Sequence, residues 1–173
     1  MQSIISEKPR FDEKLISIAA DADAFEGYSA GHSVRIAEMV DSLGLAFNFE
    51  PHDRLLLQQA ALVRNIGEMQ MNRDYIRSGR VLSSEERLDL QRHPVIGEQA
   101  AAKMGLSRGV QLIVRWHHEW WNGSGYPDGL AGETIPDGAR VLALADAWDV
   151  MTSERSYHAP LTVADALAEC RRC

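Results

Sequence analysis

The spacing of the apolar residues limits this chain more than any other feature. Leu15, Ile18, Ala19 and Ala22 recur at intervals of three and four. So do Ile36, Met39, Val40 and Leu43, then Leu57, Ala60 and Ala61, then Val110, Ile113 and Val114. That interval marks one face of an α-helix, and no stretch sustains the two-residue alternation of a half-buried strand. Helix punctuation agrees. Pro51, Pro94 and Pro136 suit first turns, Ser83 with Glu86 fits a capping box, and "GYSAG" and "NGSGYPDGLAGE" interrupt the pattern. The pattern predicts an all-α fold, a bundle of about seven to nine helices. Helices are expected over 11–26, 29–45, 51–66, from the Ser83 cap to near 93, from Pro94 to 104, and over 107–118, 136–148 and 162–173. A chain of 173 residues can bury one sizeable core. Residues 1–11 read as a lead-in and 12–173 as a single domain, one that ends in mid-helix and so reads as cut short at its C-terminus.

Charge narrows the function classes. A net charge of −7 argues against a nucleic-acid binder working through a broad basic face. No apolar run reaches membrane-spanning length, and "MQSIISEKPR" is no signal peptide, so a cytoplasmic protein without a membrane partner is expected. The two cysteines, Cys170 and Cys173, have CxxC spacing but lack two further metal ligands or a βαβ context. Two free thiols in a reducing compartment are expected.

Polar residues intrude on the apolar stripes. His32 lies one turn before Ile36, and His117 continues the Val110–Val114 face. His93 precedes Pro94, His118 borders the glycine-rich loop, and Asp146 sits inside "LALADAWD". Several inward imidazoles with one carboxylate suit a transition-metal site in a helical bundle. Each alone also has a plain explanation as a hydrogen-bonded core residue, so spacing leaves both readings open. Arg64 falls on the stripe of Leu57, Ala60 and Ala61, where a guanidinium needs a partner. In the loop, Gly123 and Gly125 permit positive φ and Pro127 stiffens the turn. Trp116, Trp120, Trp121 and Tyr126 surround it; one or both of Trp116 and Trp120 are expected in the core and Trp121 at the surface.

Residues 117–157, "HHEWWNGSGYPDGLAGETIPDGARVLALADAWDVMTSERSY", resemble the second half of an HD-GYP domain, with Gly125, Tyr126 and Pro127 as the GYP. "YSAGHSVRIA" and "LQRHPVIGEQAA" resemble that family's first and middle histidine motifs. The likeness runs over residues 12–170. It implies a helical, metal-dependent phosphohydrolase fold, most of whose known members hydrolyse cyclic di-GMP. It further implies a two-metal site drawn from His32, a His-Asp pair, His93, His117, His118 and Asp146, with the pair's aspartate bridging both ions. The loop of Gly123, Gly125, Tyr126, Pro127 and Trp121 would then meet a ligand or a signalling partner such as a diguanylate cyclase domain.

One box departs from the family. Where the resemblance requires His-Asp-x-Gly-Lys, the chain reads Arg64-Asn65-Ile66-Gly67-Glu68. Arginine has no lone pair to give a metal, an amide lacks the charge to bridge two cations, and Glu68 repels the phosphate that a lysine would attract. Tyr28 stands where some members carry an extra metal ligand. The expectations are therefore none or one divalent metal (Fe, Mn or Zn) on His93, His117 and His118, with His32 and Asp146 as remnants of a second site. Arg64 should neutralise Asp146. Little or no hydrolysis is expected of such a domain, which would act by binding a cyclic dinucleotide or docking a partner. The alternative is a phosphodiesterase of reduced activity working through the three histidines.

Overall fold

The computed structural model describes residues 11–28, 31–153 and 159–172. These residues form nine α-helices and one 3₁₀ turn, with no strand among them. α1 spans Glu13–Glu26, α2 His32–Ala46, α3 Pro51–Val63, α4 Ile66–Met71, α5 Ser84–Leu90, α6 His93–Lys103, α7 Arg108–Trp116, α8 Asp137–Thr152 and α9 Val163–Arg172. No described helix is long and apolar enough to cross a membrane.

Local chemistry sets the helix ends. Asp12 caps α1 by accepting from the Lys14 amide at 2.8 Å. The Ser83–Glu86 capping box opens α5 as its sequence predicts. α2 starts without a local side-chain cap. Instead Asp23, buried on α1, accepts from the Ser33 amide at 3.1 Å and from the Ser33 hydroxyl at 2.6 Å. That long-range cap ties the first turn of α2 to α1.

α2, α3, α7 and α8 enclose one core containing Ile36, Val40, Leu57, Leu62, Val110, Val114 and Leu142. Burying each such side chain contributes about 1.5–3 kcal/mol. α4 and α6 pack together beside it, and α4 resolves a mistaken boundary. The sequence predicts one helix over 51–66, closed near Gly67. The chain instead leaves α3 after Val63, and Gly67 lies inside α4. A Cβ at Gly67 would overlap the carbonyl oxygen of His93, so this glycine serves close packing against α6. α8 also continues one turn past its expected end at 148, which brings Asp149 into the interior.

Candidate functional site

Arg64 ends α3 and is fully enclosed, with 0% of its surface exposed. Its Nε donates to Asp146 Oδ1 at 2.7 Å. Nη1 donates to Ser33 Oγ at 2.9 Å and to the Ala61 carbonyl at 3.0 Å. Nη2 lies 2.6 Å from His32 Nε2. A guanidinium only donates, so His32 Nε2 accepts and the ring proton sits on Nδ1. That proton points to Asp149 Oδ2, 2.7 Å away, and Asp149 also holds Arg35. The contact expected between Arg64 and Asp146 is present, and the arginine engages His32 as well.

The charges in this cluster balance internally. Burial raises the Asp146 carboxyl, but the Arg64 charge and hydrogen bond, together with His117 and His32, outweigh it and hold the group below its usual value. Burial would likewise lower Arg64, and the Asp146 and Glu26 charges reverse that. Asn65 turns its amide toward α1 and donates to Glu26 Oε2 at 2.8 Å. An aspartate in that geometry would set two carboxylates face to face. Burial, then the Glu68 charge, pushes the Glu26 carboxyl well above its ordinary value. Glu68 is itself pushed up to about 7 by burial, which the Arg64 charge only partly offsets.

A second cluster adjoins the first. His93 opens α6, His117 follows the last turn of α7, and His118 comes next. One ligand nitrogen from each ring lies within 4.8 Å of the others. His93 Nδ1 is 2.9 Å from the Leu90 carbonyl, and His117 Nδ1 is 2.7 Å from that of Val114. A carbonyl only accepts, so both protons sit on Nδ1 and both Nε2 atoms carry bare lone pairs. Those two Nε2 atoms are buried and have no hydrogen-bond partner. Burial lowers all three imidazoles, His93 to about 3, His117 to about 4 and His118 well below its ordinary value. Unprotonated nitrogens turned into one space are the donor set of a three-histidine metal site. One ion fits these residues. Arg64 engages His32 Nε2 and Asp146 Oδ1, so neither of these atoms is open to a further ion.

The glycine-rich loop closes over this centre. The Tyr126 ring stacks on His118 with centroids 4.8 Å apart. Glu119, buried beside His118, accepts from the amides of Asp128, Gly129 and Leu130 at 2.7, 3.1 and 2.9 Å. Gly123 takes the expected positive φ, 79°, but Gly125 does not. Gly125 is required for space, since a Cβ there would overlap the Trp120 amide nitrogen. The Tyr126–Pro127 peptide is cis. Trp120 corrects an expectation: it is 58% exposed, much like Trp121 at 55%. Trp116 is only half-buried, because its indole N–H donates outward to Asp128 at 2.7 Å. Trp121 packs its face on Arg140, 5.3 Å from the guanidinium.

The Tyr28 ring packs against His32 at a tilt of 54°, with centroids 4.2 Å apart. Sequence reasoning missed Ser33, Asp23, Glu26, Asp149 and Glu119. Asp149, three residues after Asp146 in α8, carried a detectable signal. Ser33, Asp23 and Glu26 act through contacts between helices, and Glu119 through loop amides nine to eleven residues on, none of which local spacing encodes.

A family model described as "HD domain" matches residues 10–173. The 3'3'-cGAMP-specific phosphodiesterase 3 of Vibrio cholerae is 32% identical over 146 residues, 84% of this chain and 32% of that protein. The cyclic di-GMP phosphodiesterase response regulator RpfG of Xanthomonas campestris is 29% identical over 167 residues, 95% of this chain and 43% of that protein. The chain thus spans less than half the length of these curated relatives. The crystal structure of the V. cholerae phosphodiesterase V-cGAP3 superposes with a TM-score of 0.71 at 22% identity, over 92% of this chain and 44% of that one. The L. monocytogenes PgpH HD domain, solved with cyclic-di-AMP, gives 0.63 at 11% identity, over 95% of this chain and 83% of that one. At such identities the two structures speak for the fold. The chain belongs to the HD domain family, and within it the likeness is to the HD-GYP cyclic-dinucleotide phosphodiesterases.

Proposed function

We propose that this chain is a degenerate HD-GYP domain of bacterial second-messenger signalling, which binds a cyclic dinucleotide or docks a signalling partner with little or no hydrolysis. One observation carries the reading: the enclosed guanidinium of Arg64 uses up Asp146 and His32. Both would otherwise serve a metal. Asn65 cannot bridge two ions, and its amide is committed to Glu26. Glu68 adds an acid where a phosphate would be drawn to a base. The ligand class is argued from the relatives, which are named for action on 3'3'-cGAMP and cyclic di-GMP. The loop of Gly123, Gly125, Tyr126, Pro127 and Trp121 is the contact surface for that ligand, or for a diguanylate cyclase domain. The domain works in the cytoplasm and holds at most one Fe, Mn or Zn ion.

A second reading, a slow phosphodiesterase, draws support from the bare Nε2 atoms of His93 and His117. Calorimetric titration with cyclic di-GMP and 3'3'-cGAMP, run beside a chromatographic hydrolysis assay with added Mn²⁺ or Fe²⁺, separates the two. The expected result is saturable binding with no linear product. Robust hydrolysis by the unmodified chain overturns the proposal in favour of the second reading.

A further inference from the structure

We propose that the three-histidine centre is selective for Zn²⁺ over Mn²⁺ and Mg²⁺, with the Glu68 carboxylate supplying the countercharge for the ion. This rests on the reading that Arg64 leaves room for a single ion.

The donors are nitrogens throughout. The carbonyls of Leu90 and Val114 fix the Nδ1 protons of His93 and His117, so each ring offers only Nε2. Imidazole suits Zn²⁺, whereas Mn²⁺ and Mg²⁺ prefer carboxylate and water oxygens. Two neighbouring carboxylates are committed elsewhere. Asp146 is bound to Arg64, and Glu26 accepts from Asn65. An ion held by three neutral rings still carries its full charge into a poorly solvated space. Glu68 answers that charge. Its Oε1 lies 3.8 Å from His93 Nδ1, and its side chain is only 13% exposed. The carboxylate faces the Nδ1 side of the ring, away from the bare Nε2, so it acts through His93 and through its field. The residue that makes the box hostile to phosphate is therefore an asset to a lone cation.

The test uses the full chain carrying Cys170→Ser and Cys173→Ser, so that thiols take up no zinc. Metal-free protein is titrated with Zn²⁺ and Mn²⁺ against a chromophoric chelator, with stoichiometry from elemental analysis and folding followed by circular dichroism. One Zn²⁺ per chain is expected, with Mn²⁺ weaker by on the order of 100-fold. His117→Ala should abolish zinc uptake, and His118→Ala, at a less buried position, does so if the first variant fails to fold. Glu68→Gln should weaken Zn²⁺ by about 10-fold or more, with Glu68→Asp recovering part of the loss. Mn²⁺ binding within tenfold of Zn²⁺, or Glu68→Gln binding zinc as tightly as the parent, overturns the inference. Uptake of two ions per chain instead overturns the single-ion reading beneath it.

Discussion

Replacing Arg64 with alanine strikes the one contact on which the rest of the site depends. Four hydrogen bonds are lost, to Asp146, Ser33, Ala61 and His32. The largest consequence is an enclosed Asp146 carboxylate without its cation. Removing one partner of a buried ion pair costs about 3–5 kcal/mol. The Asp146 side chain retains 17% exposure, so water can reach part of it and the lower end applies, about 3 kcal/mol. For a domain of this size that is a fall in Tm of roughly 6–12 °C. The pH dependence follows from the same pair. The parent Asp146 has a folded pKa below its unfolded value, so its stabilisation is full above the unfolded pKa of about 3.9 and is lost as pH falls through the folded value. In the variant, burial is opposed only by His117 and His32 and raises the carboxyl above its value in the parent, so the stabilisation is lost. The Tm gap should therefore be widest at neutral pH and shrink toward pH 4. Arg64→Met with Asp146→Asn should recover much of the loss, because no charge is then stranded. Thermal melts of parent, single and double variants at several pH values measure all of this. An Arg64→Ala variant within about 0.5 kcal/mol of the parent would refute the reasoning, because a solvent-facing arginine behaves that way.

Restoring the family box with Arg64→His and Asn65→Asp should raise metal content from at most one ion to two per chain, read by elemental analysis; Glu68→Lys added to that pair should bring some cyclic di-GMP turnover. Glu68→Gln should raise the Tm of metal-free protein at pH 8 and leave it nearly unchanged at pH 4. The sign follows from a folded pKa of about 7, above the ordinary 4.5: the carboxyl's stabilising contribution is present below 4.5 and is lost as pH rises through 7. An equal gain at both pH values would contradict this. Glu119→Ala should free the amides of Asp128, Gly129 and Leu130, cost about 1–3 kcal/mol, and speed hydrogen exchange across the loop. Unchanged exchange there would mean that the loop is held by other contacts.

Much of this molecule was legible before any coordinates, for physical reasons. Helices with a period of 3.6 and strong caps, such as α5 with its Ser83–Glu86 box, depend on neighbours in sequence. The inward course of Arg64 was readable because it interrupts an apolar stripe, and only a carboxylate could make that tolerable. What local pattern could not supply was tertiary. Gly67 looked like a helix terminator and is a packing glycine, because the His93 carbonyl that excludes a side chain arrives from α6. Trp120 looked like core by composition, yet its loop carries it outward. Glu119 passed as one letter of a motif, and its task depends on three amides nine to eleven residues away.

The guanidinium that joins His32 to Asp146 has a consequence for where such a domain can work. When an ion from solution holds a fold together, the stabilisation depends on how much of that ion is free, and it fades when the supply falls or a chelator competes. The cation on Arg64 is tethered to the backbone and has no concentration of its own. It cannot be exchanged for a competing metal, stripped by a chelator or oxidised to another valence. This half of the site keeps its shape at any level of cellular metal, and only the three-histidine half remains open to what the surroundings provide.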